Sequence, residues 1–163
     1  MPTVFMTAQS TGPGVPFPPP LLFIAGFLLG WWLDTRLEFL IHGTGAGPIQ
    51  VGLGFALVGV GFLVMLWGIT TFLSARTAVM PMSPARSIVV TGPYRFTRNP
   101  MYVGLTVAYV GIALLVNMAW PLVTLPAVLI ALRLFVIARE ERHLRQAFPE
   151  AYAAYCARVR RWL

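Results

Sequence analysis

The chain has 163 residues, of which 58% are hydrophobic and 10% charged, and this balance excludes an ordinary soluble globule. Its formal net charge is +7, and all twelve basic residues are arginine. Because these arginines border apolar segments of membrane-spanning length, anionic headgroups suit them better than nucleic acid does. One cysteine and two distant histidines exclude an internal disulfide and argue against a metal site. We therefore expect an all-α integral membrane protein.

The N-terminal region predicts a lead-in followed by a first apolar helix. Residues 1–20 lack basic residues and end in a proline-rich run, so we expect a flexible lead-in rather than a signal peptide. The helix then runs from Leu21 to about His42. Its Gly26 and Gly30 form a G-x-x-x-G pattern, which permits close helix packing but is also common by chance. Charged residues near its end are spaced for local ion pairing: Asp34, Arg36 and Glu38.

A second span is predicted from Ile49 to Leu73, about 25 residues without a charge. Its glycines would weaken a soluble helix, but in a membrane they allow close helix packing. Residues 21–73 are thus expected to form two transmembrane helices.

The next segment, Ser74 to Pro100, carries four arginines and no acid, which places it on the cytoplasmic side by the positive-inside rule. Its β-branched run Ser87–Thr91 predicts an extended stretch. A helix that begins near Pro100 would offer free N–H groups beside Arg95 and Arg98, an arrangement suited to an anionic ligand. The alternative is a loop whose arginines only fix the topology.

Two further apolar segments, Met101–Val116 and Pro121 to about Ala138, are joined by a link short enough to require a tight hairpin. The count is therefore about four transmembrane helices. Both termini and the arginine-containing loop then lie in the cytosol.

The last stretch, Arg139 to Leu163, has the pattern of an amphipathic helix that Pro149 divides in two. Its apolar stripe consists of Leu144, Phe148, Tyr152, Tyr155, Val159 and Trp162. Five arginines lie off this stripe: Arg142, Arg145, Arg158, Arg160 and Arg161. Those of the helix that begins near Pro149 are expected to face lipid headgroups. The segment could serve as an interfacial anchor or as a lid over a cytosol-facing pocket.

Three spaced motifs in the C-terminal half carry a family resemblance. Residues 91–104 read TGPYRFTRNPMYVG, residues 139–144 read REERHL, and residues 148–155 read FPEAYAAY. Together they resemble the isoprenylcysteine carboxyl methyltransferase family, whose bacterial members look similar to the phospholipid methyltransferases in this half. The resemblance covers roughly residues 70–163 and identifies 74–163 as the methyltransferase core.

The resemblance implies a membrane enzyme that takes S-adenosyl-L-methionine from the cytosol, releases S-adenosyl-L-homocysteine and methylates a lipophilic acceptor from the bilayer. The expected location is a bacterial inner (plasma) membrane, with no metal and no obligate protein partner. Carried over position by position, the cofactor-binding residues are Arg86, Ser87, Ile88, Val89, Tyr94, Asn99, Pro100, Met101, Tyr102 and Glu140.

Two positions depart from the family pattern. Asn99 stands where His is common, which keeps a hydrogen-bonding group but removes a titratable one. Val136 stands where the eukaryotic enzymes have an arginine thought to meet the prenylcysteine carboxylate. Arg133 and Arg139 lie within one turn and are the candidates to orient the substrate, whose reacting group is a carboxylate, a thiol or a lipid headgroup.

Other interpretations of the same residues remain. Glu140 and Glu141 are expected either to bind a cationic ligand or to pair with nearby arginines. A membrane NADPH-dependent reductase of the sterol type and a non-catalytic membrane scaffold are the alternatives to a methyltransferase.

Overall fold

The structure, a computed structural model, describes residues 13–43, 45–75 and 88–162. Within these ranges every regular element is helical, which confirms the all-helical prediction for this part of the chain. The elements in order are α1 (Pro20–Asp34), α2 (Pro48–Ser74), a 3-10 turn (Gly92–Arg95), α3 (Pro100–Leu115), α4 (Trp120–Ala131), a π-helical segment (Leu132–Ile137), α5 (Ala138–Ala147) and α6 (Pro149–Arg158).

The first helix is shorter than expected. It ends at Asp34, so the prediction that it continues to His42 is wrong. The Thr35 hydroxyl donates to the Trp32 carbonyl at 2.6 Å, and the Asp34 carboxylate accepts the Phe39 N–H at 3.1 Å. These local side-chain bonds satisfy a carbonyl in the last turn of α1 and an N–H beyond its end, and the chain leaves the helical path there.

The expected ion pairing at this point is also wrong. Among the described residues, Arg36 forms no salt bridge with Asp34 or Glu38. Its guanidinium lies over the Trp32 ring instead, 5.4 Å from the centroid. A planar cation gains from such stacking, while Asp34 is committed to the backbone.

Small residues let α1 pack closely against α4. A Cβ atom added to Gly26 would collide with the Val128 side chain, and one added to Gly30 would lie 2.6 Å from the Pro121 nitrogen. The prediction that Gly26 and Gly30 allow close helix approach is therefore confirmed.

The second helix packs against α3 through glycines spaced by seven residues: Gly54, Gly61 and Gly68. A Cβ on Gly61 would lie 2.5 Å from the Gly104 carbonyl oxygen. The other two face open space, since nothing lies within 4 Å of a Cβ built on Gly52 or Gly59. The packing role predicted for these glycines holds for the three on the α3 side.

Within the described residues, two helices are long and apolar enough to cross a membrane. They are Pro48–Ser74 and the continuous helix Trp120–Ala147, which comprises α4, the π-helical segment and α5. Pro20–Asp34 and Pro100–Leu115 are apolar but shorter. The four-span topology stays a prediction. The helix expected to end near Ala138 continues through α5.

The link between α3 and α4 is the predicted tight hairpin. Asn117 adopts a positive φ of 56°, which an asparagine tolerates in a turn. Its Oδ1 accepts the His42 N–H at 3.0 Å and the Gln50 amide at 2.9 Å. These bonds tie the connections together at the end of the bundle opposite the start of α3.

Two hydrophobic clusters connect the helices to the C-terminus. The first joins α1, α3, α4 and the π-helical segment, and includes Val15, Phe23, Tyr102, Tyr109, Val128, Leu132, Val136 and Ile137. Val15 belongs to the predicted lead-in and is buried in this cluster, whereas residues 1–12 lie outside the described ranges. The second cluster consists of Ala147, Phe148, Tyr152, Tyr155 and Val159, with Ile88 and Val90 packed against it.

Candidate functional site

The loop before α3 (88–99, the arginine loop) is shaped by its turn residues. Gly92 has φ +57°, and a Cβ there would lie 2.6 Å from the Thr71 hydroxyl, so glycine is required on both counts. A short 3-10 turn follows, and Asn99 and Pro100 then start α3 at the predicted place. The loop thereby places Tyr94 and Arg98 beside the first turn of α3.

A carboxylate and a phenol meet at the centre of the site. The Tyr102 hydroxyl, from the first turn of α3, donates to Glu140 Oε1 at 2.7 Å. Tyr102 is buried, while Glu140 in the first turn of α5 is partly exposed. Both residues were predicted to bind the cofactor, and the structure brings them into contact. A bond of this length to a carboxylate is in the range of charge-assisted hydrogen bonds.

Tyr94 lies next to this pair. Its buried OH has no hydrogen-bond partner among the described residues, although its backbone carbonyl accepts the Tyr155 hydroxyl at 2.7 Å. Burial raises the pKa of Tyr94 far above its usual range, and the nearby Tyr155 and Glu140 add to the effect. The phenol therefore stays neutral, and an unpaired buried hydroxyl beside a carboxylate is a feature that a polar ligand would satisfy.

A π-helical segment lies immediately before the two glutamates of α5. Its wider turn precedes α5 directly, and it buries the consecutive residues Val136 and Ile137. Single π turns inside helices are frequent at functional sites. Glu141 is the next residue of the same helix, and its side chain has different partners from that of Glu140.

Glu141 lies at the centre of a group of arginines (the Glu141 cluster: Arg98, Glu141, Arg145 and Arg161). Arg161 donates through Nε and Nη2 to the two carboxylate oxygens, each at 2.8 Å. Arg98 and Arg145 contact the same carboxylate at 3.2 and 3.3 Å. The hydrogen bonds to Glu141 raise the pKa of Arg161, so its charge is permanent. Pairing of Glu141 with a neighbouring arginine was predicted and is confirmed for Arg145.

The last described residues (159–162, the C-terminal segment) lie along the arginine loop. The backbone N–H of Arg98 donates to the Arg160 carbonyl at 2.9 Å. The Arg161 carbonyl accepts from the Thr97 hydroxyl and from the Asn99 side-chain amide, both at 3.0 Å. Asn99, predicted to contact the cofactor, thus uses its side-chain amide to hold the C-terminal segment.

The amphipathic pattern of the last helices is confirmed in the structure. A helix ends at Ala147 and a new one starts at Pro149, as the proline predicted. Four residues of the predicted stripe are buried together: Phe148, Tyr152, Tyr155 and Val159. Trp162 packs against the other hydrophobic cluster. The expectation that the arginines off the stripe face headgroups is wrong for Arg161, which turns inward to Glu141.

The remaining predicted cofactor residues border the same region. Val89 and Pro100 are buried, Ile88 is half-buried against the C-terminal cluster, and Met101 packs near Gly68 on α2. Arg86 and Ser87 lie outside the described residues. The extended stretch predicted around them holds at Thr91, whose backbone is extended.

The two substrate-orienting candidates are on the outside of the helix. Arg133 and Arg139 are both exposed, and Arg139 donates to the Gly14 carbonyl at 2.9 Å. In the part of the chain that is described, neither forms a hydrogen bond with the Glu140–Tyr102 pair. Their role in orienting a substrate stays a prediction.

The sequence did not reveal several polar residues of the site. Arg161 was noted only as a charge off the apolar stripe, and Thr97 was not singled out. Cys156 accepts a hydrogen bond from Arg98 Nη1 at 2.9 Å, and His143 is buried with an Nε2 that has no partner among the described residues. The described residues contain no group of three side chains that could hold a metal ion.

One comparison with known proteins bears on this site. The model of the phospholipid methyltransferase family matches residues 49–151, from the start of α2 to the start of α6. The matched range contains Tyr94, Tyr102, Glu140 and Glu141. No curated protein matches the chain.

Proposed function

The chain belongs to the phospholipid methyltransferase family, and from this premise we propose that it transfers a methyl group from S-adenosylmethionine to a lipophilic acceptor at the membrane. The observation that most supports the proposal is the Glu140–Tyr102 hydrogen bond of 2.7 Å within the matched range. Membership of a methyltransferase family also favours this activity over a sterol-type reductase or a scaffold. Location in a membrane is consistent with the two long apolar helices.

The residues around the pair suit the polar parts of S-adenosylmethionine. Its ammonium group would bind the Glu140 carboxylate, of which Tyr102 occupies one oxygen. The Tyr94 hydroxyl, which has no partner in the described part of the chain, would be a neutral donor or acceptor beside that position. The start of α3 at Pro100 favours an anion and would suit the ligand carboxylate. The apolar side chains of Ile88 and Val89 offer a surface for the adenine ring.

In methyl transfer by direct displacement, the protein must align the donor and the acceptor and forms no covalent intermediate. The sulfonium of the cofactor supplies an activated methyl group for direct displacement. Glu140 and Tyr94 would orient the donor, and the buried aromatic residues of α6 would exclude water from it. The hydrogen bond from Tyr102 would hold the Glu140 carboxylate in place for the donor.

The acceptor is proposed only by class. Val136 is fully buried in an apolar cluster, so this position offers no cation for a prenylcysteine carboxylate. Arg133 and Arg139, exposed on the same helix, are the proposed replacements if the acceptor is a carboxylate. A lipid amine would have to lose a proton and a thiol would have to ionise, whereas a carboxylate needs neither step. A bacterial inner membrane with the site facing the cytosol is the proposed setting.

Methyl transfer in isolated membranes tests the proposal. Membranes from cells that produce the chain are incubated with S-adenosylmethionine labelled in its methyl group, and the label is counted in the lipid extract. We expect label in the extract with the wild-type chain and little with Glu140→Gln. Glu150→Gln, an exposed glutamate on α6, is the matched control and should keep wild-type activity. Equal label with and without the chain would contradict the proposal.

A further inference from the structure

Two adjacent glutamates of α5 are connected to the two ends of the first turn of α3. Glu140 accepts a hydrogen bond from Tyr102, and Glu141 binds Arg161, whose carbonyl accepts from Asn99. The Tyr102 N–H in turn donates to the Asn99 carbonyl at 3.1 Å. The first turn of α3 is therefore tied to α5 directly at one end and through the C-terminal segment at the other.

The connection through Glu141 has the properties of a rigid contact. The Glu141 side chain is 9% exposed, and those of Arg98 and Arg161 are 14% and 29% exposed. A carboxylate this far from water needs charged partners, and two bonds from one guanidinium fix the orientation of both groups. Because Arg161 is held at its side chain, its carbonyl is held where Thr97 and Asn99 can donate to it.

We propose that Glu141 is a positioning residue: through Arg161 it holds the C-terminal segment against the arginine loop, and so fixes Asn99 and the first turn of α3. This role is distinct from direct ligand contact by Glu140. The effect on ligand affinity rests on the proposed function, whereas the effect on the C-terminal segment does not.

Hydrogen exchange at the Arg98 amide measures the contact directly, because this N–H donates to the Arg160 carbonyl. The full chain is reconstituted in lipid nanodiscs without ligand, and exchange is followed by mass spectrometry. In Glu141→Gln we expect exchange at Arg98 to rise about ten- to a hundredfold, the range for a lost charged hydrogen bond. Amides in the middle of α3 should keep their protection and so report that the helices are intact.

Arg160→Gln is the charge-matched control, since it removes one exposed positive charge next to Arg161 and leaves the backbone bond in place. Exchange at Arg98 in this variant should equal the wild type. Arg161→Gln should reproduce the Glu141→Gln result, and Arg161→Lys should restore part of the protection. If Glu141→Gln does not fold, the Arg161 variants decide the question near the chain end. Wild-type exchange in Arg161→Gln, or equal exchange in Arg161→Lys and Arg161→Gln, would overturn the proposal.

Affinity for S-adenosylhomocysteine separates positioning from general stability. We expect Glu141→Gln to weaken binding by about fivefold, and Asn99→Ala to weaken it little further in the Glu141→Gln background, because both act on the same turn. Fully additive losses would contradict the route through Asn99. If the wild type itself does not bind S-adenosylhomocysteine, the proposed function fails, and the exchange measurements alone decide whether Glu141 positions the turn.

Discussion

Replacing Glu140 by glutamine removes the negative charge at the centre of the site with almost no change in shape. In the structure, Glu140 Oε1 accepts the Tyr102 hydroxyl at 2.7 Å, and the carboxylate is the group proposed to bind the cofactor ammonium. A hydrogen bond to a charged group is worth about 1.5–3 kcal/mol, which corresponds to about ten- to a hundredfold in affinity. We therefore expect Glu140→Gln to weaken binding of S-adenosylhomocysteine by that factor.

Isothermal titration of the purified variant in nanodiscs measures this loss. Tyr102→Phe removes only the neutral partner of Glu140 and should weaken binding by about fivefold, and Tyr102→Ala by more, because it also removes a buried ring. Glu141→Gln, which acts through Arg161, should weaken binding by only about fivefold, less than Glu140→Gln, and Glu150→Gln should have no effect. Unchanged affinity in Glu140→Gln, or an equal loss in Glu150→Gln, would refute the assignment of the ammonium site.

Truncation after Pro149 removes α6 and the C-terminal segment, so it should abolish S-adenosylhomocysteine binding even where fluorescence of a fused reporter shows that the helices still insert. Wild-type affinity in the truncated protein would mean that the tail is only an anchor. Gly61→Ala should lower the unfolding free energy in detergent by about 1–3 kcal/mol, because the added methyl meets the α3 backbone. Gly59→Ala faces open space and should be neutral or stabilising. In a Cys156→Ser background, a thiol introduced by Arg86→Cys should react with an impermeant maleimide only from the cytosolic side, and labelling from outside alone would reverse the proposed orientation.

The positions where helices begin could be predicted because the signals for them are local. Pro100 and Pro149 each fix the backbone of a first helical turn and remove an N–H that would otherwise be unpaired, and both start helices in the structure. The glycines likewise indicated close helix packing, which the structure shows for Gly26, Gly30 and three of the five glycines in α2. The sequence could not show which helix each glycine meets, since the partners of Gly26 and Gly61 lie far along the chain.

The end of α1 shows where local reasoning failed. The apolar residues after Glu38 favoured a longer helix, but side-chain bonds of Thr35 and Asp34 end it locally. Further along, His42 donates its backbone N–H to Asn117, a residue 75 positions away. Such a bond depends on how α1 and α3 are arranged in space. The spacing of apolar residues indicates local helix periodicity and does not indicate such a long-range bond.

The site was predictable in its members but not in its connections. Glu140 and Tyr102 were chosen from the family resemblance, and their contact joins residues 38 positions apart. The inward turn of Arg161 was missed because an arginine among arginines near a chain end is typical of a solvated face. Arg161 reaches its partner Glu141 only because α6, which begins at Pro149, returns the chain to the arginine loop, and the sequence alone does not show this arrangement.

The central claim is that the chain binds the methyl-donor cofactor. The wild-type protein in nanodiscs is titrated separately with S-adenosylhomocysteine and with NADPH in an isothermal calorimeter. We expect saturable binding of S-adenosylhomocysteine at about one site per chain, with weaker binding in Glu140→Gln, and no heat of binding with NADPH. Binding of NADPH without S-adenosylhomocysteine, or of neither ligand, would contradict it.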